Sequence, residues 1–384
     1  MSSSWLLKEL VVHLERQEWQ KCCDSFKGWS DRLKESPAVS IIVPIFNSAR
    51  DVENLLRCDD LWIGANEVIL IDDCSTDPDI PRILREVEQR RPKARVLRNH
   101  RNLGFTRTVN RGFKERENNN DVVVLNSDAM PGGDWLERLR CVAYSKPNVA
   151  TVSPLSNSAS FFSLPEANQP NRVPEGFLPA TCANMLGWIA PSLYEETLAT
   201  CGFCWYVRSD ALEEIGVLDE MLFYRGYAEE TDYCLRASDS GFMNLCSLTS
   251  YVGHGNAQSF QGEKSLLKKT NANILKAIQP TFIDRLRQYE EESAIPGLGK
   301  GFAKATSLSN AEEIEFISSV EMNFSDKKRD TDSNCLVLST LSHGLKISFL
   351  GYSEKLNVSS DEIEALQMYL TVRLCPRQII DQPT

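Results

Sequence analysis

The stretch "VVVLNSDAM", Val122–Met130, runs four aliphatic residues directly into Asn126, Ser127 and Asp128. Such an unbroken aliphatic run predicts a strand buried on both faces. Its polar end has two readings. It is an ordinary strand-to-turn ending, or the edge of a sheet that delivers an acid to a site.

Outward from this stretch the texture repeats. "VSIIVPIF" (39–46), "EVILIDD" (67–73) and "ARVLRN" (94–99) are short aliphatic runs that end in polar residues. Between them lie charged, helix-like segments, "DIPRILREVEQRR" (79–91) and "TRTVNRGFKER" (106–116). Alternating units of this size predict an α/β fold with a mostly parallel central sheet flanked by helices. Ligands of such sheets bind beyond the carboxyl ends of the strands. Asn47, Asp72, Asp73 and Asp128 are therefore expected on one edge.

The 384 residues accommodate one large domain with appendages, or two domains. A net charge of −11 excludes a broad nucleic-acid-binding surface, although local basic clusters can still hold phosphates. No apolar run reaches the roughly 18–20 residues that span a bilayer. "MSSSWLLKELVVHLERQEW" lacks the basic start and apolar length of a signal peptide, so the expectation is a cytosolic protein. The 12 cysteines are scattered, and Cys201 with Cys204 is the one CxxC; reduced, mostly buried thiols are expected.

Leu6, Leu7, Leu10, Val11 and Leu14 recur at helical spacing, and a second helix is expected over about residues 18–33. Their apolar faces dock on the protein's own domain or on a membrane. Residues 153–200, rich in Pro, Asn and Ser, read as a long loop. "EKSLLKKTNANILKAIQPTFIDRLRQYEEE" (263–292) reads as helical, and "IPGLGKG" (295–301) as a linker. Beyond it, "AEEIEFIS" is strand or helix, "CLVLSTL" and "LKISFLGY" are strands, and "SSDEIEALQMYLTVRL" opens with a capping-box-like signal.

Four segments could carry chemistry. In "ILIDDCSTD", Asp72 and Asp73 leave a buried strand, either as turn formers or as acceptors for a nucleobase or ribose. In "RNHRNLGFTRTVNRGF", Arg98, Arg101, Arg107 and Arg111 surround Asn102 and Gly104, as a solvated basic turn or a diphosphate site. In "GYAEETDYCLRASDSGF", an Asp232–Arg236 pair at i,i+4 explains those two residues. It leaves Glu229 and Glu230, either of which in a pocket can act as a general base. His254 in "SYVGHGNAQSF" is a structural or surface residue, or a metal ligand when paired with an acid.

Taken in order, seven segments between about Val39 and Tyr289 resemble glycosyltransferase family 2, nucleotide-sugar-dependent enzymes with the GT-A fold. They are "VSIIVPIFN", "VILIDDCSTD", "RNHRNLGFTRTVNRG", "DVVVLNSDAMPGGDWLERL", "GFCWYVRSDALEEIGVLDE", "YAEETDYCLRA" and "GHGNAQSF". The nearest flavour is that of bacterial O-antigen, capsule and rhamnosyltransferase-like enzymes. The resemblance implies a donor site at Pro44, Asn47, Asp72, Asp73, Arg101, Asn102, Gly104 and Ser127. It places "NSD" at the DXD-like motif, so that Asp128, Asn126 and His254 would hold Mg²⁺ or Mn²⁺. It makes Glu230 the catalytic base, with Glu229 and Asp232 beside it in the same motif. Asn126 stands where the family carries an acid, and Glu230 where it carries Asp.

The implied reaction is inverting, metal-assisted transfer of a hexosyl or deoxyhexosyl group. The donor is UDP-, dTDP- or GDP-linked, and the acceptor a glycan or lipid-linked glycan of a growing bacterial surface polysaccharide. A catalytically silent sugar-nucleotide-binding or scaffold domain that assists a partner enzyme is the alternative. The expected organisation is a helical segment over 1–37, a GT-A domain over 38–292 and an α+β extension over 293–384. That extension would serve oligomerisation, acceptor docking or a link to a further enzyme domain. Partner-enzyme or peripheral association at the inner face of the membrane belongs to the same expectation.

Overall fold

In a computed structural model the described residues are 2–16, 26–117, 119–223, 225–255, 261–308, 321–323, 335–341, 344–349, 352–356 and 362–374. The chain begins with α1 (Ser2–Glu15) and α2 (Phe26–Lys34). The alternating part follows: β1 (Val39–Ile45), α3 (Ala49–Arg57), β2 (Glu67–Asp72), α4 (Ile80–Arg90), β3 (Ala94–Arg98), α5 (Phe105–Glu115) and β4 (Asp121–Leu125). The predicted start of the second helix, residues 18–25, lies outside the described residues.

Next come β5 (Ala129–Met130), α6 (Trp135–Ala143), β6 (Val149–Leu155), α7 (Pro179–Ile189), β7 (Tyr194–Thr197), β8 (Cys204–Val207) and α8 (Ser209–Ile215). The expectation of a loop over 153–200 is therefore corrected. An eleven-residue helix and a strand occupy part of it, because Pro179 suits a first helical turn and the run that follows is almost wholly buried.

The sequence continues through α9 (Glu229–Asp239), β9 (Met243–Tyr251), β10 (Gly253–His254), α10 (Gln261–Ile278), α11 (Phe282–Glu292) and α12 (Ile295–Leu308). The expected linker at 295–301 is instead the first half of α12. Ile295, Leu298 and Phe302 bury one face of it at helical spacing, and this packing overrides the poor helix propensity of its glycines. The chain closes with β11 (Glu321–Asn323), β12 (Cys335–Leu341), β13 (Gly344–Phe349), β14 (Tyr352–Leu356) and α13 (Ile363–Leu374). "AEEIEFIS" and the capping-box serines lie outside the described residues.

The main sheet has eight strands in the order β3-β2-β1-β4-β8-β6-β9-β7. β1, β2, β3 and β4 are parallel neighbours, as are β6 and β9, whereas β8 and β7 run antiparallel to their neighbours. Alternate strand residues sort to two faces. Ile41, Val43, Val68, Leu70, Val123 and Leu125 join the larger apolar cluster. Ile42, Ile69, Ile71, Val122 and Val124 face α5 through Val109 and Phe113. Each fully buried aliphatic contributes about 1.5–3 kcal/mol. A Cβ at Gly112 of α5 would stand 2.5 Å from Cγ2 of Ile42, so only glycine lets that helix sit so close to the sheet.

The flanking segments belong to the larger cluster too. Leu6, Leu7 and Leu10 of α1 and Leu366, Tyr369 and Leu370 of α13 are buried in it. The guanidinium of Arg373 is fully buried against the end of α7, donating to the carbonyls of Gly187, Trp188 and Ala190. Arg138 of α6 in turn donates to the carbonyl of Arg373 at 2.8 Å.

Candidate active site

Parallel order carries the C-terminal ends of β1, β2, β3 and β4 to one sheet edge, and the polar residues that follow them gather there. Past β4 the chain turns through Asn126–Asp128 into β5, which pairs antiparallel with β10 so that His254 stands opposite Ala129. Nε2 of His254 consequently lies 3.3 Å from Oδ1 of Asp128 and 3.3 Å from Nδ2 of Asn126. Nδ1 of the same ring is 2.6 Å from the carbonyl of Ser158, which can only accept. Nδ1 therefore carries a proton, and Nε2 is the nitrogen turned toward Asp128 and Asn126.

Further contacts fix this ring. Asn157 accepts from the backbone N–H of His254 at 2.8 Å and donates to its carbonyl at 2.9 Å. Phe203 stacks on the imidazole with ring centroids 4.6 Å apart. These contacts come from the Asn/Ser-rich stretch and from Phe203, the residue before β8. On α3, Asp51 has its carboxyl raised by burial and then by the neighbouring charge of Asp128.

One carboxylate, one imidazole and one carboxamide fit a divalent cation such as Mg²⁺ or Mn²⁺. Oxygen donors suit either ion, and the Ser158 carbonyl orients the histidine. Rotating the Asn126 amide would present its oxygen instead of Nδ2. Among the described residues no group of three or more His, Cys, Asp or Glu stands at metal-ligating spacing. Asn126 is therefore the third protein ligand this edge can offer.

The acids after β2 are buried and engaged. Oδ1 of Asp72 accepts from the Ser75 N–H at 2.7 Å, and its Oδ2 lies 3.4 Å from Nε of Arg98. Asp73 accepts from the N–H groups of Leu103 and Gly104 at 2.7 and 2.9 Å and from the Asn99 side chain at 2.7 Å. Asn47 ties the end of β1 to the next loop, its Oδ1 accepting from the N–H groups of Thr76 and Asp77. A cavity of about 950 Å³ opens beside them, lined by Pro44, Asp73, Asn102 and Gly104 together with Phe46 and Phe105. Asn47, Asp72, Arg101 and Ser127 do not line it.

The far wall of the cavity is the 221–227 turn and α10. Gly226, Tyr227 and Ala228 have successive φ values of 98°, 68° and 77°, conformations that cost a residue with a Cβ of order 1 kcal/mol or more. Asn271 of α10 holds this turn by donating to the carbonyls of Gly226 and Tyr227 at 2.8 and 2.9 Å.

Glu229 and Glu230 open α9 directly after the turn. The Glu229 carboxyl is 3 % exposed, and burial followed by the charge of Glu230 raises it well above the ordinary carboxylate range. Glu230 is half-buried, and a Cβ at Gly202 would stand 3.5 Å from its Cδ. Asp232 is paired with Arg236 at 2.9 Å, and that guanidinium also binds the carbonyls of Ile215 and Val217. The i,i+4 pair thus takes Asp232 into the packing of the helix. Gly202 against Glu230 and Phe203 against His254 bring the acid helix and the Asp128 edge to the two sides of one dipeptide.

A curated relative, "Uncharacterized protein y4gI" of Sinorhizobium fredii (strain NBRC 101917 / NGR234), is 37 % identical over 68 residues, 17 % of this chain. This chain spans 8 % of the length of that relative. GalNAc-T7, solved with UDP, GalNAc and Mn²⁺, superposes with a TM-score of 0.49 at 15 % identity, covering 71 % of this chain and 56 % of that one. The mannosyltransferase PcManGT of Pyrobaculum calidifontis, solved with GDP-Man and Mn²⁺, gives 0.48 at 15 % identity, over 81 % and 90 %. Residues 40–216 match the model of Glycosyl transferase family 2, a span that ends before Glu229, Glu230 and His254. From Ser40 to Gly216 the chain is similar to glycosyl transferase family 2.

Proposed function

We propose that the protein transfers a sugar from a nucleotide-diphospho-sugar to a hydroxyl of a glycan, with inversion, in the assembly of a bacterial surface polysaccharide. The carrying observation is the Gly202–Phe203 dipeptide, which meets Glu230 on one side and His254 on the other. It allows a base and a diphosphate-holding edge to act on one donor.

The roles divide along that line. The 950 Å³ cavity takes the nucleoside, with Phe46 and Phe105 as apolar walls and the Asp73-held 102–104 segment beside it. Asp128, His254 and Asn126 would hold Mg²⁺ or Mn²⁺, which when bound offsets negative charge on the leaving diphosphate. Glu230 removes the proton of the acceptor hydroxyl. The freed oxygen forms the new bond to the anomeric carbon from the face opposite the diphosphate, whose oxygen leaves with the bonding electron pair. Burial, and then the charge of Glu230, raise the Glu229 carboxyl well above the ordinary carboxylate range, which favours its neutral form.

Incubating the protein with UDP-, dTDP- and GDP-sugars and acceptor glycans is expected to release nucleoside diphosphate. Glu230→Gln is expected to lower that release by at least about 10²-fold while donor still binds. Undiminished release by both Glu230→Gln and Asp128→Ala would sink the assignment.

A further inference from the structure

The basic segment 98–111 is divided by the fold. Arg107 turns to Glu220, 3.8 Å away, and the donor-side cavity takes Asn102 and Gly104. Arg98, His100 and Arg111 instead line a second cavity of about 490 Å³, together with Cys74, Asn99 and Leu103. It takes Asn99, His100 and Leu103 of the 99–104 loop, past the ends of β2 and β3, whereas the donor-side cavity takes Asn102 and Gly104.

Arg111 is held for a purpose its own contacts do not exhaust. Its Nη1 donates to the carbonyl of Arg98 at 2.8 Å and to Oδ1 of Asn99 at 2.7 Å. Asn99 is itself 2 % exposed and anchored, donating to Asp73 at 2.7 Å and to Thr108 at 3.0 Å. The guanidinium is thus pinned through one nitrogen to a buried network. Among the described residues no carboxylate stands within ion-pair distance of it. Arg98 has one, with Nε at 3.4 Å from Asp72, while its side chain stays 52 % exposed. Among the described residues, of these two guanidinium groups Arg98 alone has a carboxylate within ion-pair distance, and His100 adds a third basic side chain. A fixed, half-buried cation lacking a counter-ion is costly unless a ligand supplies the charge. The fork geometry of arginine suits phosphate oxygens, which it can bind two at a time.

We propose that this second cavity is an anion site for a small phosphate-bearing molecule, separate from the donor cavity. The inference stands independently of the transfer reaction. The same acid links the two cavities, because Asp73 accepts from Asn99 and Leu103 on one side and from Gly104 on the other. Phosphate bound at Arg111 therefore pulls on the loop that forms a wall of the donor cavity. The phosphate is that of a molecule other than the donor nucleotide, and competition with nucleoside diphosphates tests this.

The test is ³¹P NMR titration of the full chain with inorganic phosphate, alone and with excess UDP, dTDP and GDP. Phosphate is expected to bind under both conditions. Arg111→Met is expected to weaken it about tenfold or more, since hydrogen bonds to charged groups contribute about 1.5–3 kcal/mol. Arg98→Met and His100→Gln, which leave the Asn99 network in place, are each expected to weaken it about two- to fivefold. These two variants decide the matter if Arg111→Met fails to fold. Unchanged phosphate affinity in Arg98→Met and His100→Gln overturns the proposal. So does complete displacement of phosphate by the nucleotides, which would place it in the donor cavity.

Discussion

Nε2 of His254 stands 3.3 Å from Oδ1 of Asp128, with the other ring nitrogen tied to the carbonyl of Ser158. If this pair binds a cation with Asn126, changing the charge at Asn126 must change the affinity. Asn126→Asp is expected to tighten Mn²⁺ about tenfold, and His254→Ala to weaken it by about 10–100-fold. Electron paramagnetic resonance of free Mn²⁺, with nucleoside diphosphate present, measures both. An Asn126→Asp variant with the parent's affinity would remove Asn126 from the ligand set.

Glu229 makes stability depend on pH. Its folded carboxyl lies well above the ordinary value of 4.5, with burial as the first cause and the charge of Glu230 as the second. A raised pKa gives a contribution that is complete below the unfolded value and is lost as pH rises through the folded one. Glu229→Gln, which carries no such group, is expected to gain in melting temperature over the parent as pH rises from about 5 to about 8. Parallel melting curves across that range would contradict the burial of a neutral carboxyl.

The strained turn at 226–228 depends on a side chain more than forty residues away in sequence, since Asn271 bonds to the carbonyls of Gly226 and Tyr227. Asn271→Ala leaves two acceptors unsatisfied beside the cavity. The expected cost is about 1–3 kcal/mol in urea unfolding, with kcat falling more than KM rises. A stable variant with unchanged kcat would show that the turn holds itself.

Arg373 tests whether the C-terminal helix belongs to the core. Its guanidinium donates to three carbonyls at the end of α7 while fully buried. Arg373→Met is expected to cost about 2–4 kcal/mol, since the carbonyls would lose their donors inside the protein. Calorimetry is the readout. An unshifted transition would mean that α13 docks without contributing to the stability of the sheet.

The strands and their order of chemistry were legible because aliphatic runs with polar ends are a local signal. Val122–Leu125 read as buried on both faces, and its alternate residues do face two different clusters. The linker expected at 295–301 failed for the opposite reason. Its glycines argue locally for a break, and only burial of Ile295, Leu298 and Phe302 against the core makes it a helix. Asn157 and Asn271 were unreadable as supports, because asparagines in a polar stretch and on a charged helix look like solvated residues until their partners are known.

The sequence by itself determined the alternation of strands and helices, the acids at the strand ends, and the similarity to glycosyl transferase family 2 over residues 40–216. These follow from periodicity and motif, which are properties of neighbours along the chain. Tertiary structure alone decided that His254 faces Asp128, that Glu230 faces Gly202, and that Arg111 opens on a cavity separate from Asn102. The physical reason is that a side chain's role is set by which charges and donors surround it, and β-pairing and helix packing bring those from distant parts of the chain.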